Sequence, residues 1–136
     1  MDDLNAALQI SAAGMRAQSG RIRIVAENLA NAGSTAETAE ADPYRRQVPV
    51  FSAYLDREIG ARLVDMSRVA LDPSDFSLKY DPSHPAADKE GYVKLPNVNA
   101  LVEMMDLREA QRSYEANLGA IDSVRAMAGA TLRILE

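Results

Sequence analysis

The chain opens and closes on an apolar period of seven. Leu8, Met15, Ile22 and Leu29 fall at strict heptad spacing near the start, and Leu107, Tyr114, Ile121, Ala128 and Leu135 do the same near the end. A seven-residue period keeps one apolar line against a neighbouring helix along its whole length, the pattern of coiled-coil-like packing. The first helix is expected over about residues 3–31. With Leu8 as position a, its d line is Leu4, Ser11, Gln18 and Val25. A second apolar line, Ile10, Ala17 and Ile24, lies nearly opposite the first, so the helix is expected to meet more than one neighbour. Asn31, Ala32 and Gly33 end it, with Gly33 the candidate for a left-handed C′ position. The last helix starts with Asn99 as N-cap, followed by Glu103 and Asp106 where the helix dipole favours acids. Its d line is Ala110, Asn117, Val124 and Thr131, and an adjoining line adds Leu118 and Leu132.

Between the helices the periodicity changes. Residues 34–43 are small, polar and acidic and read as a loop. Tyr44–Phe51 has strand character, confined to a sheet edge by Pro49. Residues 62–71 and 76–80 form an expected hairpin around Asp72-Pro73-Ser74-Asp75. Asp81-Pro82-Ser83-His84-Pro85 is too proline-rich for a regular element, and Tyr92–Leu95 is a short extended piece before Pro96. The division is therefore 1–33 helix, 34–98 β-rich and irregular middle, and 99–136 helix. This is one mainly α domain with an insertion.

Composition narrows the chemistry. The 136 residues are 47% hydrophobic but only 5% aromatic, with no Trp, so the core is aliphatic. A net charge of −5, with no basic cluster, argues against nucleic acid as a partner. With no Cys, disulfides and thiolate chemistry are excluded. Asp2 and Asp3 stand where a secretory leader has basic residues, and no stretch has the length of a membrane span, so neither a cleaved leader nor direct membrane insertion is expected. His84 is the sole histidine and reads as a turn residue. Glu37, Glu40 and Asp42, and Asp88 with Glu90, read as solvated loop charges rather than a paired-carboxylate centre. No catalytic residue, metal site or cofactor is expected. The interior glycines Gly14, Gly20, Gly119 and Gly129 each cost about 1 kcal/mol against alanine in a helix. They fit close approach of another chain segment, or helices that become stable on assembly. Asn117 on the d line is either a register-fixing buried polar group or a half-exposed side chain, and Asn31 a helix terminator.

The run Val25-Ala26-Glu27-Asn28-Leu29-Ala30-Asn31-Ala32 resembles the amino-terminal signature of bacterial flagellar rod, hook and filament-junction proteins. Asp81-Pro82-Ser83-His84-Pro85, Glu90-Gly91-Tyr92-Val93, Pro96-Asn97-Val98-Asn99 and Ser113-Tyr114-Glu115-Ala116-Asn117 resemble the C-type proximal rod subunits of the basal body. The resemblance implies a structural subunit whose terminal helices pair antiparallel, as a coiled-coil-like hairpin, and pack with neighbours into a hollow drive shaft that carries torque. It implies as partners copies of the chain, other rod subunits, the inner-membrane ring with its rod adaptor, and the flagellar type III export apparatus. The implied location is the periplasmic rod. The expected assembly residues are Leu4, Leu8, Ile10, Met15, Ile22, Ile24, Val25, Leu29, Leu107, Tyr114, Leu118, Ile121, Val124, Leu132 and Leu135. Two other classes fit less of the pattern. A cytoplasmic helical-hairpin adaptor leaves the opposed apolar lines unexplained, and a carboxylate hydrolase lacks a site.

Overall fold

A computed structural model describes residues 2–134. Helix α1 spans Asp2–Ala30 and α2 spans Ala100–Ile134; between them lie strands β1 (Gln47–Asp56), β2 (Ala61–Leu71), β3 (Ser77–Tyr80) and β4 (Tyr92–Leu95). The architecture is mixed: a helix at each end and small antiparallel β structure in the middle. Leu135 lies outside the described residues.

The strands pair as β1 with β2 and β3 with β4, in two two-stranded sheets. The expected hairpin of 62–71 with 76–80 does not form. Its first arm folds back on β1 instead, through a four-residue turn, a connection short enough only for antiparallel neighbours. Asp56 Oδ1 accepts from the Glu58 and Ile59 amides, at 2.9 and 3.4 Å, and Gly60 takes φ +63° to close that turn. The Asp72–Asp75 segment only bends, at Ser74, and is held open from outside. Its Asp72 and Ser74 carbonyls accept from the Arg45 guanidinium at 2.8 and 2.9 Å, and from the Asn97 amide at 3.1 Å each. Pro49 sits inside β1, tolerated because each strand of a two-stranded sheet has a free edge.

In the second sheet Ser77, Leu78, Lys79 and Tyr80 face Leu95, Lys94, Val93 and Tyr92 in antiparallel register. The proline-rich segment 81–91 closes it. Asp88 Oδ1 accepts from the Glu90 and Tyr92 amides, the Asp81 amide donates to the Gly91 carbonyl at 2.9 Å, and Gly91 adopts φ +89°.

At its end α1 tightens rather than reversing hand. The Asn31 and Ala32 amides donate to the Asn28 and Leu29 carbonyls, and Ser34 Oγ and the Ser34 amide both donate to the Asn31 carbonyl. Gly33 therefore does not take the left-handed C′ conformation, because the terminal carbonyls already have partners. Asn99 caps α2 as expected, its Oδ1 accepting from the Leu101 and Val102 amides at 3.1 and 3.3 Å.

Internal contacts divide the chain into two compact units. The first holds the chain up to Ile22, Val50–Arg68, and the chain from Arg108 onward. Its core is small-residue and aliphatic: Ala13, Ala17, Leu63, Ala110 and Val124, with Ser11 buried among them. The second unit holds Arg23–Pro49 and Val69–Leu107. Ile24, Val25, Ala86, Val93 and Pro96 are buried there together with two polar residues, Asn28 and Glu103.

Candidate assembly helices and their polar anchor

In α2 the buried and half-buried positions follow the expected a and d lines: Leu107, Tyr114, Ile121 and Ala128 on one, Ala110, Asn117 and Val124 on the other. Only Thr131, among the expected d positions, is exposed. In α1 the burial is shifted from the line that dominates the sequence. Leu8, Met15, Ile22 and Leu29 are all half-buried, as is Leu4, while Ser11, Ala13, Ala17, Ile24, Val25 and Asn28 are buried. Three residues of α1 in contact with α2, Gly14, Arg21 and Asn28, lie between its two apolar lines and are themselves heptad-spaced.

Within the first unit, a Cβ on Gly14 would stand 2.8 Å from Asn117 Nδ2, so the glycine makes room for that side chain. Asn117 is half-buried and its Nδ2 donates to the Ser113 carbonyl at 2.9 Å, one turn back on its own helix. Arg21 pairs with Glu109 at 3.3 Å. Gly20 makes room in the same way for Met66, 2.9 Å from the position of a Cβ. Ala12, Met15, Arg16, Ser19, Tyr114 and Ile121 line an open groove of about 390 Å³. Ile10 and Leu118, each 43% exposed, and Leu132 at 57% have no such packing.

Within the second unit, Asn28 is a fully satisfied hub. Its Nδ2 donates to the Gln47 carbonyl at 2.8 Å and to Glu103 Oε2 at 3.2 Å; its Oδ1 accepts from Tyr44 Oη at 2.7 Å and the Gln47 amide at 2.9 Å. Two donors and two acceptors exhaust an asparagine side chain. The other oxygen of Glu103, which is 0% exposed, accepts from Arg46 Nε. Arg46 also reaches Asp72 Oδ2 at 3.3 Å and Asp106 Oδ2 at 3.9 Å, and its amide donates to Asn97 Oδ1 at 2.7 Å. Burial opposes the charge of Arg46, but the hydrogen bonds and charges of Glu103 and Asp72 outweigh it, and the guanidinium pKa moves up. For Asp72, hydrogen bonds from Ser74, then from Arg46, hold the carboxyl below its usual range.

Tyr44 titrates above its ordinary value, through burial first and then the negative charges of Glu27 and Glu103. A raised phenol pKa adds stability that is complete below the unfolded value near pH 10 and is lost as pH rises through the folded value. Tyr44→Phe is expected to cost about 1 kcal/mol at neutral pH and to remove this part of the alkaline loss. Urea unfolding at about pH 8 and about pH 11, on either side of the unfolded value, measures both. An unchanged alkaline dependence in the variant refutes the assignment.

The motif residues of the middle segment each have a structural part. Ser83 Oγ donates to Asp81 Oδ1, and Pro82 packs beside Gly91. His84 Nδ1 accepts from the Ala86 amide at 3.0 Å, which leaves the proton on Nε2 to donate to Thr35 Oγ1 at 3.2 Å. Pro85 is exposed and Pro96 buried. Asn97 ties Arg46 to the Asp72–Ser74 segment. Asn31 is half-buried, and its Nδ2 donates to the Glu27 carbonyl at 2.9 Å, one turn back. Tyr44, Arg46, Gln47 and Asp72 were not among the expected residues, and Glu103 was expected only as a helix-dipole acid. The signal for Glu103 was available: it continues the line of Ala110, Asn117 and Val124 one heptad back, which places a carboxylate on the seam. Among the described residues no group of three or more His, Cys, Asp and Glu is gathered as for a metal ion, and no helix is long and apolar enough to cross a membrane.

Residues 89–134 match the family described as flagellar basal body rod FlgEFG protein C-terminal. The flagellar basal-body rod protein FlgC of Agrobacterium fabrum is 48% identical over 136 residues, covering 100% of this chain and 98% of its own. The protein of the same name from Borreliella burgdorferi is 38% identical, covering 98% of each. That of Salmonella typhimurium is 35% identical, covering 92% of each. A chain that aligns end to end with these proteins belongs to the FlgC family of flagellar basal-body rod proteins.

Proposed function

We propose that the chain is a structural subunit of the proximal rod, polymerising into the hollow shaft that transmits torque and supports motility, with no catalytic step of its own. The observation that carries this is the apolar surface of α2. Leu101, Val102, Met104, Met105, Leu118, Met127, Leu132 and Ile134 are all exposed along it, far more than scattered surface residues require. Beside them the Cβ positions of Gly119 and Gly129 meet nothing within 4 Å, leaving room for another helix.

In this reading residues 1–33 and 99–136 form the axial core and 34–98 its outer accessory. The helices pair antiparallel. Partners on α1 rise in number, Gly14, Arg21 and Asn28, as those on α2 fall, Asn117, Glu109 and Glu103, which supports that arrangement. Ile10, Leu118, Leu132 and the half-buried Leu8 line then face other subunits. Packing of that kind resists shear, because sliding one subunit unseats every interdigitated side chain together. Copies of the chain, other rod subunits, and the inner-membrane ring with its adaptor are the partners, reached after type III export, in the periplasm.

The test is Leu118→Glu with Leu132→Glu. Both side chains are exposed, so the isolated subunit should keep its circular dichroism spectrum while cells carrying it as their sole copy lose rods and swimming. Normal swimming in that strain would overturn the proposal.

A further inference from the structure

We infer that the hydrogen-bonding complementarity of Asn28, Arg46 and Glu103 is a register lock. It selects one alignment of the first turns of α2 against the last turns of α1, and contributes specificity rather than net stability. The seam needs such a device because it is self-similar. Sliding α2 by one heptad exchanges apolar residues for one another along Leu107, Tyr114, Ile121 and Ala128. The hydrophobic pattern alone barely separates the two alignments.

Two polar positions are the exceptions: Asn117 would leave the space beside Gly14 in the first unit, and position 103 changes in the second. In the slipped alignment Ala110 takes the place of Glu103, and its methyl group faces the Asn28 amide and the Arg46 guanidinium. Asn28 Nδ2 then loses its 3.2 Å bond to Glu103, and Arg46 loses the acceptor for its Nε. The opposite slip would bring position 96 into the site, but that residue is a proline upstream of the helix, so no helical alternative exists on that side. A buried ion pair that breaks even against apolar residues of similar size can still exclude the wrong partner alignment. Here the pair is held to Asn28, whose other three hydrogen bonds go to Tyr44 and the Gln47 backbone. The lock therefore refers α2 to β1 as well as to α1.

The test uses the full chain, which has no cysteine of its own. Nitroxide labels are placed through Ala26→Cys and Leu101→Cys, both exposed positions of the second unit, and labelled protein is diluted with unlabelled copies for pulsed electron paramagnetic resonance. The parent is expected to give one narrow distance. The combined Arg46→Met and Glu103→Leu variant, which leaves Asn28 bonded to Tyr44 and Gln47, is expected to unfold within about 5 °C of the parent. It should nevertheless show a second population, offset by one heptad, an axial shift of about 10 Å at 1.5 Å per residue. A single narrow distance in the combined variant overturns the inference, because the seam then suffices. So does a combined variant that fails to fold, which makes the cluster a stability element. A broad distribution in the parent overturns it equally.

Discussion

Glu103→Ala is expected to lower the unfolding free energy by about 3–5 kcal/mol, the range for removing one partner of a buried ion pair. The loss comes from what remains. Arg46 keeps its charge but has only the longer contacts to Asp72 and Asp106, and one Asn28 donor has no acceptor in a fully buried place. With a typical domain stability of about 5–15 kcal/mol, that loss alone brings the fold close to its limit. Adding Arg46→Met should recover much of it, since no uncompensated cation is then left inside. Chemical denaturation of the single and double variants measures the difference. Equal stability of Glu103→Ala and the parent would show that Arg46 and Asn28 find other partners.

The second large effect is expected at Gly91. Alanine there must hold φ +89°, a conformation that costs a residue with a side chain about 1–3 kcal/mol. Its methyl group would stand 2.9 Å from Tyr80 Cε2 and 3.1 Å from Pro82 Cβ. Tyr80 is exposed and can rotate away, at the expense of its edge-on contact with Tyr92, now 5.4 Å between ring centres. Pro82 cannot, because its ring is fixed in the turn that follows Asp81. Destabilisation of about 2 kcal/mol or more is therefore expected, and slowed exchange of the Asp81 and Tyr92 amides in the parent should become fast in the variant. A Gly91→Ala protein with unchanged midpoint and exchange would refute the strain argument.

Both helices were legible because their patterns are long and periodic, and the Asn99 cap because the residue type carries its own mechanism. Strand partnership was not. The Asp72–Asp75 segment has turn chemistry, and nothing local says that Arg45 and Asn97 will hold it open so that β3 goes to β4. The Leu8 line is the most hydrophobic, yet Gly14, Arg21 and Asn28 meet α2, because close approach and hydrogen bonding set that contact rather than apolar area. For the polar hub, Asn28 stood out in the sequence through the motif around it. Arg46, which depends on a contact 57 positions away along the chain, did not.

The span of that hub also fixes an order of events. Asn28 and Glu103 lie 75 positions apart, so their hydrogen bond closes a long loop, and the closure entropy must be met before the contact contributes anything. Contacts of such separation slow folding relative to local ones. A chain that emerges amino end first has all of α1 and both sheets available before the one carboxylate that completes Asn28 and Arg46. Until residue 103 arrives the middle segment has no way to finish its interior.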